Sequence, residues 1–390
     1  MKEIFMKTKT KKILIKIFPI LSVLNKVIRK NENIIVIYSN LGFRDNIRSI
    51  YDYLIDNNYN KKYKIVCSLN DCMLFKEQTI ENVKFVNCYT GLYYFFISKY
   101  FFYSFGKYPI RPSREQIVIN LWHGMPLKTI GALVDKKNSH NYFSYVLATS
   151  EFFSNIIQNA FQCDIKQVLI CGQPRNDDLF LQIDIKTMFG IKNKKTLCYM
   201  PTFRNSKILS VNDCETSIES IYSSFKEKEF LQKLDRILCE LDFFLFVKPH
   251  PMDDFNRKFI DSLGNIKYID DQYLYQNNLN LYKFLSGIDG LLTDYSSVYF
   301  DYLLLDRAIG FIVDDIDEYK NKRGFIVDEP LEIMPGKHIY TYNDLLDFLY
   351  SFQQNDSNFK EARGNINNLC NFFKENGNCK KILELVGIKK

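Results

Sequence analysis

Residues 288–313 read IDGLLTDYSSVYFDYLLLDRAIGFIV. A largely apolar run, Ile288–Thr293, ends in a polar turn. Val298–Leu305 is apolar over a helical length, and Ile309–Val313 is a second apolar run. Strand, helix and strand in that order make a βαβ unit, and continuous rather than alternating apolar strands are buried on both faces. The same rhythm extends outward. Predicted strands fall at Ile34–Ser39, Lys64–Cys67, Val83–Val86, Tyr100–Ser104, Ile117–Leu121 and Tyr145–Thr149. A second series comprises Val168–Cys171, Thr196–Met200 and Phe243–Val247 with the two runs above. The spacings accommodate helical crossovers such as Arg44–Asn57, which predicts an α/β fold of two Rossmann-like domains built on parallel sheets. A Gly-Pro turn at Gly172-Gln173-Pro174 marks the expected break, and the tail from 341 reads as helices. The run Leu92–Phe105 is read as a buried helix followed by a buried strand, turning at Ser98-Lys99.

A chain of 390 residues suits two domains, and 46% hydrophobic with 25% charged residues excludes a disordered or collagen-like chain. The net charge of +7 is unevenly placed. Residues 1–30 carry nine Lys or Arg and one Glu, so the remainder is close to neutral. A duplex-binding protein spreads a basic stripe over its folded surface, and none is legible here, so nucleic acid is not an expected partner. The ten cysteines form no Cys-x-x-Cys pair and no zinc-type cluster with His. They read as small buried hydrophobes of a reducing compartment. Neither a GxGxxG nor a GxxxxGK[ST] motif occurs.

At the N-terminus, Lys7, Lys9, Lys11, Lys12 and Lys16 precede an apolar stretch, Ile17 to Ile28, that Pro19, Asn25 and Lys26 interrupt. A bilayer span needs about 20 apolar residues, so this is no span. No small-residue cleavage site follows, which argues against a signal peptide. A basic amphipathic segment lying on an anionic lipid surface is the expectation. The plainer alternative is a frayed tail leading into a helix packed on the body.

Ligands of open α/β sheets bind beyond the carboxyl ends of strands, so candidate residues are sought there. Trp122-His123-Gly124-Met125-Pro126-Leu127-Lys128 follows Ile117–Leu121 and holds His123 on a short turn, where an imidazole suits proton transfer. Pro201-Thr202-Phe203-Arg204 follows Thr196–Met200. Lys248-Pro249-His250-Pro251 follows Phe243–Val247 and presents a rigid cationic loop suited to an anion. Thr293-Asp294-Tyr295-Ser296-Ser297 opens a helical run. Ser296 or Ser297 reads as an N-cap, or as part of a phosphate site at a helix N-terminus. Asp301, one turn on, reads as an acceptor for ribose hydroxyls or as helix surface. Arg307 and Arg323 are weaker cationic candidates. Clustered carboxylates and metal-ligand spacing are both missing from this pattern, so metal-assisted hydrolysis and paired-carboxylate glycoside cleavage are not expected.

The same loops carry a resemblance. NLWHGMPLKTIG (120–131), CGQPRNDDLF (171–180), PTFR (201–204), KPHP (248–251), TDYSSVYFDYLLLDRAIGFIVDDIDEY (293–319) and RGFIVD (323–328) look like the ordered motifs of the CDP-glycerol glycerophosphotransferase family, which includes teichoic acid primases and polymerases. Met125 departs from the family's usual Thr. The resemblance implies a GT-B-like architecture, two Rossmann-like domains facing across a cleft, with the basic N-terminal segment and C-terminal helices added. It divides the chain into 1–32, an acceptor-side domain 33–171, a CDP-donor domain 172–340 and helices 341–390. It implies metal-independent, cofactor-free transfer of a polyol phosphate from CDP-glycerol or CDP-ribitol to a lipid-linked or polymeric acceptor. That reaction would serve teichoic acid or capsule-like synthesis at the cytoplasmic face of the bacterial plasma membrane. His123 and His250 become the catalytic pair. Lys248, Arg204, Thr293, Ser296, Ser297 and Asp301 become donor-side residues, and Gly124, Lys128 and Arg175 lie on the acceptor or phosphate side. A GT-B glycosyltransferase using a nucleotide sugar, or a non-catalytic membrane-associated partner in envelope assembly, would share the fold.

Overall fold

The computed structural model describes residues 8–136, 141–202, 204–206, 211–212, 220–250, 253, 255–354 and 358–390. Residue contacts divide it into two units. The first comprises the chain up to His123, Gly131–Asp177 and Gly377–Lys390; the second comprises Gly124–Ile130 and Asp178–Asn376. The chain thus leaves the first unit directly after His123, visits the second for seven residues, and returns. The lasting crossing follows Asp177, five residues beyond the expected break at 172. The C-terminal helices do not stay together. Tyr342–Gln353 and Lys360–Cys370 belong to the second unit, and Asn378–Leu385 belongs to the first.

The first unit holds β1 (Asn31–Ser39), β2 (Lys64–Leu69), β3 (Val83–Val86), β4 (Ser98–Tyr103), β5 (Ile117–Asn120), β6 (Tyr145–Ala148) and β7 (Val168–Ile170). They form one parallel sheet in the order β3-β2-β1-β4-β5-β6-β7. β7, the first strand of the second series as read from sequence, is an edge of this sheet. Ile35, Val36 and Ile37 are fully buried, because helices cover both faces. One of these is α2 (Asp45–Asp56), whose Ile47, Ile50 and Leu54 join the core. The 88–103 region is a helix, Cys88–Ile97, running straight into β4, so the corner at Ser98 is as expected.

The last helix is stapled to this unit by one carboxylate. Asp177 accepts from the backbone N–H groups of Gly377 (3.0 Å), Asn378 (2.8 Å) and Cys379 (2.9 Å), and from the Asn378 side chain (2.9 Å). These are orphan donors of a helix N-terminus, satisfied by a residue 200 positions earlier. Cys379, Ile382, Leu383 and Ile388 then enter the core beside α2.

The N-terminal helix, α1 (Thr8–Val27), contains Pro19. Lys7 lies outside the described residues, and of Lys9, Lys11, Lys12 and Lys16 only the backbone is described. Beyond them α1 is inverted relative to an ordinary surface helix. Asn25 is fully buried and donates to the Arg111 carbonyl (3.0 Å) and the Gln116 side chain (2.8 Å), while Ile20, Val23, Leu24 and Val27 face solvent. Among the described residues no helix is long and apolar enough to cross a membrane.

The second unit holds β8 (Lys195–Met200), a two-stranded β9 (Asn205–Ser206) and β10 (Val211–Asn212), β11 (Phe243–Val247), β12 (Ile266–Tyr268), β13 (Gly290–Thr293), β14 (Ala308–Ile312) and β15 (Lys337–Ile339). Its main sheet is parallel, in the order β12-β11-β8-β13-β14-β15. Both main sheets therefore start in the middle, build outward to one edge, and then jump back over the first strand. This is the doubly wound pattern, and it opens a crevice where the winding reverses. In the first unit the reversal lies between β1 and β4; in the second it lies between β8 and β13.

Candidate functional site

In the first unit the β5 end delivers His123 into a strained turn. Trp122 sits at φ +55° and Gly124 at φ +127°. The first is sparsely populated for a bulky residue, and the second falls where a side chain is strained. The imidazole stacks on Phe105 from the end of β4 (4.8 Å between ring centres, 23°) and lies 4.0 Å from the Trp122 ring. Nδ1 is buried and no hydrogen bond to it is found. Burial pushes the imidazole pKa down to about 4; Asp45 opposes that shift, Arg175 reinforces it, and the Ser104 backbone opposes it. His123 is therefore neutral at physiological pH, with a lone pair to accept a proton.

Arg175 is turned to Asp45. Its side chain is 5% exposed, and Nη1 donates to both oxygens of Asp45 (2.7 and 2.9 Å) and to the His123 carbonyl (3.1 Å). The resemblance gives it an acceptor- or phosphate-side role; here its charge is matched by the partly buried Asp45 carboxylate.

Gly124 to Ile130 is built into the second unit. The Ile326 N–H donates to the Leu127 carbonyl (3.0 Å) and the Thr129 N–H to that of Gly324 (3.1 Å). Thr129 Oγ1 donates to the Arg323 carbonyl (2.7 Å), and Arg323 Nη1 donates back to the Thr129 carbonyl (3.0 Å). The PLKT and RGF motifs, about 195 residues apart, are thus one short antiparallel pairing, and Arg323 is part of it. Lys128 lies over the Tyr319 ring at 5.7 Å. Met125, where the resemblance leads one to expect Thr, is buried at 1% exposure, which suits a thioether.

Three strand ends of the second sheet converge on Arg204, itself 1% exposed. Nη1 donates to Asp294 after β13 (2.7 Å) and Nε to Asp315 after β14 (2.7 Å). Asp294 also accepts from the Thr202 N–H (2.9 Å) and hydroxyl (2.9 Å), and Tyr295 donates its hydroxyl to Asp315 (2.8 Å). The guanidinium lies 5.1–5.2 Å from the rings of Tyr222, Tyr295 and Tyr319. Burial works against the charge, but Asp294 and Asp315 outweigh it and hold the guanidinium well above its ordinary pKa. Arg204, a donor-side residue in the resemblance, ties the β8, β13 and β14 loops together.

The other donor-side candidates divide. Thr293 is buried and donates to the Met200 carbonyl (2.7 Å), joining β13 to β8. Asp301 is 2% exposed and accepts the Tyr282 hydroxyl (2.6 Å), so it is not helix surface. Arg307 caps a preceding turn by donating to the Ser286 carbonyl (2.8 Å). Ser297 makes no capping bond, and its helix, Val298–Tyr302, is only five residues before a 3-10 turn, so the helix-dipole contribution is small. Ser296 and Ser297 remain half-exposed beside the β8–β13 crevice. Lys248, at the β11 end, is 8% exposed and pairs with the half-exposed Asp271 (2.9 Å). His250 is exposed two residues on.

Asp45, Asp271, Asp294 and Asp315, the partners of these cations, were not singled out from the sequence. Asp294 and Asp315 lie inside a quoted motif, but nothing local marks Asp45 or Asp271.

The family model described as CDP-Glycerol:Poly(glycerophosphate) glycerophosphotransferase matches residues 20–387. A teichoic acid glycerol-phosphate transferase of Staphylococcus aureus is 28% identical over 63% of this chain and 64% of its own length. A teichoic acid glycerol-phosphate primase of Bacillus subtilis is 31% identical over 53% of this chain and 49% of its own. The chain therefore spans between about half and two thirds of the length of these two relatives. A solved structure of the wall teichoic acid polymerase TagF superposes with a TM-score of 0.70 at 22% identity, covering 96% of this chain and 94% of the other, which is a likeness of fold.

Proposed function

Because the chain belongs to the CDP-glycerol glycerophosphotransferase family, we propose that it transfers a polyol phosphate, glycerol phosphate in the first instance, from a CDP-activated donor to a hydroxyl of a growing envelope polymer. The observation that carries this reading is His123: an imidazole on a fixed strand-end turn, kept neutral by burial, is a proton acceptor at physiological pH. The acceptor hydroxyl attacks the β-phosphorus, its proton passes to His123, the bond from that phosphorus to the bridging oxygen breaks, and CMP leaves with the electron pair. Such a transfer asks the protein for alignment and charge neutralisation rather than covalent help. Lys248, His250, Ser296 and Ser297 hold the diphosphate in this reading, with the phosphates displacing Asp271 from Lys248. Lys128 and Gly124 face the acceptor.

The acceptor is lipid-linked or polymeric, and the enzyme works as a peripheral protein on the cytoplasmic face of the plasma membrane. The exposed Ile20, Val23, Leu24 and Val27 of α1 support this, as do nine basic residues against one acidic in the first 30. An apolar face flanked by cations fits an anionic lipid surface.

The test is CMP release by purified protein with CDP-glycerol or CDP-ribitol, membrane lipid extract as acceptor, and His123→Ala as control. CMP from one donor and only with the unaltered protein supports the reading and names the polyol. Loss of a general base lowers the rate roughly 10²–10⁴-fold. No CMP from either donor, with a UDP-sugar turned over instead, overturns it.

A further inference from the structure

The turn that carries His123 is held by side chains from elsewhere in the first unit. Three consecutive carbonyls, those of Leu121, Trp122 and His123, point at two side chains. Asn46, fully buried near the start of α2, donates Nδ2 to the Trp122 carbonyl (3.0 Å) and, more weakly, to that of Leu121 (3.4 Å). Arg175 donates to the His123 carbonyl (3.1 Å). The two holders are themselves joined. The Arg175 N–H donates to Asn46 Oδ1 (3.1 Å), Asn46 Nδ2 donates to Gln173 Oε1 (3.0 Å), and Asp45 binds the Arg175 guanidinium. Asp45 itself sits at φ +61°, the second non-glycine residue of this cluster, after Trp122, with positive φ.

We propose that Asp45 and Arg175 are positioning residues for His123, a largely buried ion pair that fixes the strained turn and flanks the imidazole with opposite charges. This rests on the reading of His123 as the base. Proton uptake by an imidazole packed against Phe105 and Trp122 creates a cation in a poorly solvated place. The Asp45 carboxylate stabilises that cation, and Arg175 limits the effect while holding the backbone. Asp45 and Arg175 are the charged side chains acting on the imidazole. Arg44 lies over the far ring, 5.9 Å from the Phe105 centre, and Lys107 lies two residues beyond Phe105.

The experiment compares Asp45→Asn, Arg175→Gln and Arg175→Lys by two readouts: the pH titration of the His123 ring by NMR, with His123→Gln for assignment, and the kinetics of CMP release. The clamp requires opposite shifts. Asp45→Asn moves the His123 titration to lower pH, out of the accessible range. Arg175→Gln moves it up by about one unit, about tenfold easier protonation. Arg175→Lys keeps the charge and leaves the titration in place, yet lowers kcat about 10- to 100-fold through the lost fork to Asp45 and the His123 carbonyl, with donor KM little changed. A loosened, hydrated turn would raise the His123 pKa in all three variants, and that common rise overturns the proposal, as does an unmoved titration. Because the titration needs no turnover, absence of CMP release in the unaltered protein refutes the function while leaving the clamp tested.

Discussion

Arg204 offers the sharpest contrast between a ligand-binding and an architectural role. Replacing it with Met removes a side chain that is 1% exposed and leaves Asp294 and Asp315, which are 2% and 9% exposed, without their cation. Breaking a buried ion pair from one side costs about 3–5 kcal/mol, because the surviving charge stays desolvated. Here two carboxylates are stranded, offset in part by the Thr202 and Tyr295 donors that remain. A loss near 4 kcal/mol is therefore expected. Arg204→Lys keeps the charge, but Nε serves Asp315 while Nη1 serves Asp294, and one ammonium has no such fork, so it should recover about half. Arg204→Met with Asp294→Asn and Asp315→Asn removes the stranded charges and should be more stable than Arg204→Met alone. Urea unfolding gives the total, and hydrogen exchange in peptides covering β8 and β13 locates it in the second unit. If Arg204→Met lost less than about 1 kcal/mol and left those amides protected while abolishing donor binding, the architectural argument would be wrong and the guanidinium would be a ligand group.

Other consequences are direct. With the imidazole lowered to about 4, kcat/KM for CMP release should stay level from pH 7.5 down through pH 5.5, where an ordinary His of pKa 6.5 would already be mostly protonated. A fall centred near pH 6.5 would show a solvated His123. The same shift has a stability sign. The folded pKa lies below the unfolded one, so the unfolded chain binds more protons between them, and the contribution of His123, present above pH 6.5, is lost as pH falls toward 4. Acid melts of His123→Gln should show a shallower loss over that window. Asp177→Ala strips the acceptor from three backbone donors and one side chain of the last helix and should cost about 2–4 kcal/mol, opening residues 377–390 to proteolysis before the rest. An unchanged digestion pattern would contradict that. Removing residues 1–19 together with Val23→Glu and Val27→Glu should abolish sedimentation with phosphatidylglycerol vesicles while leaving CMP release on a soluble acceptor intact. Binding that persists, or turnover that vanishes, would place the function of α1 elsewhere.

Much of the scaffold is local and so was legible in sequence. Long apolar runs such as Ile34–Ser39 and Phe243–Val247 become central strands because only a doubly covered sheet can bury every residue of such a run. The two strands of the main sheets that escaped notice, Ile266–Tyr268 and Lys337–Ile339, are three-residue edges reading IKY and KHI, without an apolar run to betray them, and the two-residue pair β9 and β10 escaped as well. The sequence also put His123, Arg204, Lys248 and Ser296 at strand ends, since that follows from strand boundaries alone. What it could not supply is the partner of each charge. Arg204 meets Asp315 across 111 positions, Arg175 meets Asp45 across 130, and Asp301 meets Tyr282 through the packing of a neighbouring helix. A cation at a strand end is a ligand group when it faces solvent and a structural tie when a buried carboxylate reaches it first. The desolvation that decides between these depends on strand order and burial, which arise only when distant segments meet. Residue type and position along the strands were written in the chain; which charges were left for a substrate was decided by the fold.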